Sequence, residues 1–306
     1  AARCEWTLPD GRAAGPVIVA SSATVRHAHA QVTALYRRDT TIFPPLVLDA
    51  GDSFFAVTVP VTADKPGRRY LGICTTGVRM TAAEIRIAEM LLAAGQLLLD
   101  RDLDTTPHAA DPYLTLVGYF NATRELAGMA RYLADDVSTL LAKGRAWSLL
   151  PRRYGTNFGT LNIDELTSRV SSADITRTLD HLAATFSAEV DSSAGRTARA
   201  EARAAARAGG LKLTERATNP YDVVLATSML QVGVDVTRLG LMLMVGQPKN
   251  TAEYIQASSR VGRDPSRPGL VVSLGNWSRP RDLSHFEAFR HFHETFYQQV
   301  EALSVT

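Results

Sequence analysis

The chain has 306 residues, enough for one large or two ordinary domains, and its 45% hydrophobic and 21% charged content is ordinary soluble globular usage. Its most apolar stretches, near Met90 to Leu99 and Leu239 to Val245, fall short of the roughly 20 residues of a membrane span, and no signal peptide is visible at the start. Cys4 and Cys74 are too few for a metal or disulfide framework and fit a reducing cytoplasm, while a net charge of +2 leaves nucleic-acid binding open, because a groove needs only local basicity.

Pro16 to Ala20 is expected as a short apolar strand, followed directly by Ser21-Ser22-Ala23-Thr24 and by a helix from Ala28 to Arg38. Pro44-Pro45 ends this segment, because proline breaks both ladder and helix. Residues 54 to 60 alternate apolar and small side chains, and Arg69 to Cys74 reads as their partner strand after a Pro66-Gly67 turn. A strong helix is predicted from Thr81 to Leu99, with Thr81 and Glu84 as a capping box, and Asp104 to Pro112 as a linker.

From Leu114 a βα rhythm begins. Leu114 to Phe120 is the continuous apolar run of a central parallel strand, Asn121 is expected to cap a helix from about Thr123 to Asp135, and Glu165 to Val170 reads as a short strand. Ser171 and Asp174 stand as cap and third residue of a helix reaching about Phe186. Strands over 222 to 227, 241 to 245 and 269 to 274 complete an alternation that implies a doubly wound parallel sheet. Ligands on such sheets bind at the carboxyl ends of the strands, where Thr227, Asn121 and Ser168-Arg169 are expected.

Arg196 to Gly210 is rich in alanine and arginine, with Arg199, Arg203 and Arg207 on one stripe. Single-sign charge without an apolar face favours a solvated helix; a basic edge touching a phosphate backbone is the alternative. A final helix from about Leu283 to Leu303 holds His285, His291 and His293 among Phe286, Phe289, Phe292 and Phe296. His291 and His293 point to different faces of a helix, so packing rather than metal binding is expected.

The densest chemistry lies between residues 222 and 263. After the strand Asp222 to Thr227 come Gly233-Val234-Asp235 and then Gln256-Ala257-Ser258-Ser259-Arg260-Val261-Gly262-Arg263. Gln256, Arg260 and Arg263, at offsets 0, +4 and +7, project from one face of a helix entering a loop. Two always-charged guanidinium forks beside a glycine suit a γ-phosphate and the charge that develops during phosphoryl transfer.

A phosphate loop of the Gly-x-x-x-x-Gly-Lys-Ser/Thr kind is missing, since Lys65, Lys143, Lys212 and Lys249 never follow glycine and precede Ser or Thr. Asp164-Glu165 lacks an apolar strand leading in and makes a poor magnesium box. Because the chain also begins with Ala1 in what reads as mid-domain, it is expected to be the C-terminal part of a longer motor, without measurable hydrolysis by itself.

These strings resemble motifs V and VI of superfamily 2 helicases. Thr227, Gly233, Asp235, Gln256, Arg260, Gly262 and Arg263 match, while Ser259 stands where that family usually has glycine. Ser22-Ala23-Thr24 resembles the tripeptide that closes the first RecA-like domain there, and Val117 to Asn121 resembles motif IV. Longer strings, above all Gly246 to Arg263, are similar to the helicase subunit of DISARM phage-defence systems.

The resemblance implies a RecA-like α/β fold. It assigns residues 1–50 to the remnant of a first RecA-like domain, 51–282 to the second, and 283–306 to a C-terminal helix. It also implies an ATP-dependent helicase or translocase on DNA, in the cytoplasm, with ATP and Mg2+ held mainly by the absent front half and a second defence-system subunit as a partner. On the matching positions, Arg260 and Arg263 would contact the γ-phosphate, Gln256, Gly233, Asp235 and Gly262 would line the nucleotide, Thr227, Asn121, Ser168 and Arg169 would meet nucleic acid, and Ser22, Ala23 and Thr24 would couple the two. A binding scaffold with a dead nucleotide site and an RNA helicase of the same fold are the rival readings.

Overall fold

The computed structural model describes residues 6–21, 27–43, 48, 52, 54–55, 57–101, 108–144, 151–157, 159–168, 170–210, 216–231, 235–295 and 300. It divides into two compact units, one of residues 1–60, 250–252 and 295–306, the other of 61–249 and 253–294.

In the first unit β1 (Trp6–Thr7) pairs antiparallel with β2 (Ala13–Ala14), and α1 spans Ala28–Tyr36. The strand expected over Pro16 to Ala20 does not form: Val17 and Val19 are 89% and 88% exposed, and none of the described strands pairs with this segment. An apolar run becomes a strand only where a neighbour takes its backbone hydrogen bonds.

The second unit is built on a six-stranded, all-parallel sheet. Its strands are β3 (Arg68–Thr75), β4 (Leu116–Phe120), β5 (Ile163–Leu166), β6 (Val223–Ala226), β7 (Leu241–Val245) and β8 (Gly269–Asn276), in the order β3-β8-β7-β4-β6-β5. Every residue of β4, β6 and β7 is buried. Such strands read as unbroken apolar runs because both faces of a parallel sheet are covered. Arg69 to Cys74 pairs parallel with β8 and not with residues 54 to 60, since a short apolar strand gains more as the edge of the large sheet than in an isolated hairpin.

On one face, Ala88 and Leu92 of α2 (Met80–Arg101) and Leu126 and Met129 of α3 (Thr123–Tyr132) pack onto the sheet. Leu133 and Val137, in a π-helical turn, and Leu141 of α4 (Ser138–Lys143) join them against Leu116, Leu225, Leu243 and Val272. Burying each of the Leu, Met and Val side chains contributes about 1.5–3 kcal/mol. Gly95 lies inside α2 because a Cβ there would meet the Tyr113 carbonyl oxygen at 2.8 Å.

Three cap expectations met different outcomes. α2 starts at Met80, so Thr81 lies within the first turn, and Glu84 is buried near Glu125 and Arg279. Asn121 does not cap α3; its Nδ2 donates to the carbonyls of Val245 and Gln247, each at 3.3 Å, and ties the end of β4 to the end of β7. Ser171 does cap α5 (Ser172–Ala183), its Oγ accepting from the Asp174 N–H at 3.2 Å. After α5 come α6 (Ala188–Asp191), α7 (Ser193–Ala208) and α8 (Thr251–Ser258).

The helix expected from Leu283 is two helices, α9 (Pro280–Glu287) and α10 (Phe289–Thr295). The break seats Phe289 over Gly72, where a Cβ would lie 2.8 Å from its ring, and lets His293 Nε2 reach the Tyr254 hydroxyl at 2.8 Å. Burial pushes the His293 pKa down, in keeping with a neutral packed ring.

Two buried arginines tie down the amino ends of the strands. Arg153 donates to the Leu92 and Leu114 carbonyls at 2.9 and 2.7 Å and pairs with Asp222 at 2.8 Å. Asp222 also accepts the N–H groups of Thr156 and Asn162 at 2.7 and 2.9 Å, so the carboxylate is fully employed. Arg238 lies over the Phe186 ring and donates to Leu182 O at 2.6 Å and Thr115 Oγ1 at 2.8 Å.

Candidate phosphate-binding site

The structure brings part of the expected set together and separates the rest. Because α8 follows β7 and runs back along the sheet, its C-terminal end returns to the amino edge of the strands, not to their carboxyl rim. The Gly262 N–H donates to Leu239 O at 2.7 Å, just ahead of β7, and Arg68, the first residue of β3, donates from Nε to Val261 O at 2.8 Å. Gly262 has φ +65° and sits against Gly269, the first residue of β8, where a Cβ would lie 2.5 Å from the Gly269 Cα. Only glycine satisfies both conditions. Ser259 raises no such difficulty: it continues the helix, its N–H donating to Ile255 O at 3.0 Å and its hydroxyl to Gln256 O at 3.0 Å.

On this anchored loop Arg260 and Arg263 lie together. Arg263 pairs with Asp235, which precedes β7 at the same edge, and its Nε donates to Ser259 O at 3.2 Å. The Asp235 side chain is 75% exposed, so the pair faces solvent. Burial, reinforced by the neighbouring charge of Arg263 and opposed by Asp235, holds the Arg260 pKa below its ordinary value. A second anion would relieve that crowding. Gln256 is half-buried one turn earlier in α8.

Thr227, Asn121 and Ser168 sit at the opposite, carboxyl rim. Thr227 directly follows β6, nine-tenths buried, with its N–H donating to Leu166 O at 3.3 Å. Ser168 is exposed just beyond β5, which ends at Leu166 rather than at the expected 170. The two groups are separated by the length of a strand, about 17 Å for five residues. Gly233, Arg169, Ser22, Ala23 and Thr24 lie outside the described residues. Asp164 on β5 accepts from Thr178 Oγ1 at 2.6 Å, which is an internal tie.

Two supports were missed. Arg68 fixes the arginine loop, and its only signal is a basic residue opening an edge strand. Asp282 of α9 accepts the Gln247 N–H at 3.0 Å and the Asn276 N–H at 2.9 Å, holding the ends of β7 and β8.

Comparison with known proteins agrees with this architecture. Residues 210–265 match the helicase conserved C-terminal domain. Over 293 residues the chain is 39% identical to DISARM protein DrmA of Bacillus paralicheniformis, a match that takes in 95% of this chain and 23% of that protein. The chain therefore spans about a quarter of the length of this curated relative. Among solved structures, the Mycobacterium smegmatis helicase Lhr bound to ssDNA and AMP-PNP aligns at 16% identity with a TM-score of 0.48, over 93% of this chain and 27% of that one. The DUF1998 helicase MrfA bound to DNA aligns at 14% identity with a TM-score of 0.43, over 78% and 23%. The six-stranded parallel sheet with its flanking helices is of the RecA-like α/β kind, and DISARM protein DrmA is similar to this chain over 95% of the chain and 23% of that protein.

Proposed function

We propose that this chain, a RecA-like helicase domain similar to DISARM protein DrmA, is the C-terminal part of an ATP-dependent superfamily 2 translocase or helicase that acts on DNA in anti-phage defence. The observation that carries the reading is the paired guanidinium groups of Arg260 and Arg263 on a loop fixed by Gly262 and Arg68. Their donor set fits a triphosphate: two forked cations lie side by side, one of them partly desolvated and crowded by the other, near the exposed carboxylate of Asp235. ATP, with Mg2+, would supply the phosphoryl group and its charge. Arg260 and Arg263 would bind its terminal phosphate, with Asp235 orienting Arg263 and Gln256 hydrogen-bonding nearby.

Nucleic acid would meet the other rim. Thr227, Asn121 and Ser168, with Arg169, offer hydroxyl and amide groups suited to phosphate contacts that hold a strand without reading its sequence. The two groups sit on one rigid sheet, so movement of the arginine edge toward a nucleotide carries the strand-holding rim with it. Ser22-Ala23-Thr24 would couple that movement to a preceding domain, and a second defence subunit would be a partner of the whole assembly.

The test is ATP hydrolysis by the full-length protein with single-stranded DNA, duplex DNA or RNA added. Stimulation by DNA is expected. No stimulation by any of the three supports an inactive binding scaffold, and stimulation by RNA alone supports an RNA helicase.

A further inference from the structure

The turn that follows β8 holds a large aromatic ring at the surface. Trp277 is 53% exposed, directly beyond a strand whose Val271, Val272 and Leu274 are in the core. Its turn is fixed on both sides. The Asn276 N–H donates to Asp282 Oδ2 at 2.9 Å, Ser278 donates from N–H and hydroxyl to Asn276 Oδ1 at 3.0 and 2.8 Å, and the Arg279 N–H closes the turn onto Asn276 O at 3.0 Å. Arg279 pairs with Glu125 of α3 at 2.8 Å, and a Cβ on Gly246, at the end of β7, would lie 3.5 Å from Arg279 Nη1 and 3.1 Å from Asn121 Nδ2. The Trp277 turn is therefore tied to the loop of Asn121, on the carboxyl rim of the sheet.

The same rim is basic. Arg79, Arg124, Lys249 and Arg281 are exposed on the segments that follow β3, β4, β7 and β8. The carboxylates of those segments are engaged, Glu125 with Arg279 and buried Asp282 with the N–H groups of Gln247 and Asn276. β8, β7, β4 and β6 are neighbours in that order, so the strands that lead to Trp277 and Thr227 stand about 14 Å apart. Sites for a single strand combine positive charge that tracks the backbone with aromatic rings on which bases stack, and every base offers a π-face. A ring already held by its turn loses little freedom when it stacks. The core of a protein interface is depleted of charge, whereas this rim carries several exposed cations of one sign.

We propose that Trp277 is a stacking platform for an unpaired base of a single DNA strand held at the carboxyl rim. This rests on the reading of that rim as the nucleic-acid side of the chain and deepens it. Thr227, Asn121 and Ser168 serve the phosphates, and Trp277 adds a contact that a bare backbone cannot make.

The test is equilibrium binding, without ATP, of the full-length protein to a single-stranded DNA and to an abasic strand of equal length and charge, across a series of salt concentrations. Trp277→Ala is expected to bind the base-bearing strand about 5- to 150-fold more weakly, the range that loss of one stacked base gives. Trp277→Phe retains most of the affinity. The slope of log affinity against log salt stays at the wild-type value, because no charge is removed. On the abasic strand wild type and Trp277→Ala bind alike, and thermal unfolding of the two coincides. Wild-type affinity of Trp277→Ala for the base-bearing strand overturns the proposal alone and leaves the ring to a protein partner. Equal loss on the abasic strand also overturns it, as does a loss matched by a lowered melting temperature and not restored in Trp277→Phe. A wild-type protein that binds neither strand overturns the nucleic-acid reading of the rim, and the proposal with it.

Discussion

Arg153 and Arg263 carry the same guanidinium into opposite settings. Arg153 is 2% exposed, bonded to two backbone carbonyls and to a carboxylate that is itself saturated with donors. Arg263 stands at the surface, its one carboxylate partner three-quarters exposed, on a loop whose geometry is fixed by other residues. A guanidinium sealed from solvent with both terminal nitrogens bonded inside the fold is out of reach of a ligand, whereas the surface pair can exchange Asp235 for a phosphate at small cost, since exposed ion pairs contribute about 0–1 kcal/mol. The first is scaffold, and the second is available for chemistry.

The comparison is broken most severely at its buried end. Arg153→Ala leaves Asp222 buried and uncompensated, and a loss of about 3–5 kcal/mol is expected, read as a lower midpoint in urea unfolding. A midpoint within error of wild type would remove Arg153 from the scaffold. Gly262→Ala comes next: a Cβ at φ +65° against the Gly269 backbone forces the loop away from β8, so hydrolysis should fall more than tenfold with a smaller loss of stability. Unchanged turnover would show that loop geometry does not aim the arginines.

A titration sharpens the contrast with a third kind of charge. Burial, with repulsion from Glu125 and against the attraction of Arg279, pushes the Glu84 carboxyl up to about 7 from its ordinary 4.5. Between these values the folded state holds a proton that the unfolded chain has released, so the Glu84 contribution to stability is greatest below about pH 4.5 and declines as pH rises through 7. Glu84→Gln should flatten that decline and raise the melting temperature at pH 8 by a few degrees; a parallel decline in both proteins would contradict it. The smallest effect belongs to Asp235→Asn, which should leave the melting temperature nearly unchanged while altering the KM for ATP.

Much of this was legible in the sequence. The apolar runs at Leu116–Phe120, Val223–Ala226 and Leu241–Val245 announce buried parallel strands, and the Ser171 cap follows from local chemistry. The clustering of Arg260, Arg263 and Asp235 could be expected from their order, but not the edge on which they stand, because the rule that ligands bind at the carboxyl rim overlooks a loop at the far end of a returning helix. Asn121 read as a helix cap and turned out to bind β7, since the same amide can serve a local or a distant carbonyl. Arg153 gave no local signal: its partners Leu92, Leu114 and Asp222 are distant in sequence.

The central claim is that the edge arginines serve a nucleotide and the buried ones serve the fold. It is tested most directly by measuring thermal unfolding and DNA-stimulated ATP hydrolysis side by side for Arg263→Ala and wild type. The account predicts an unfolding temperature close to wild type with turnover reduced by roughly 10³-fold or more. A variant that hydrolyses ATP at the wild-type rate, or one that loses activity only in proportion to lost folding, would contradict it.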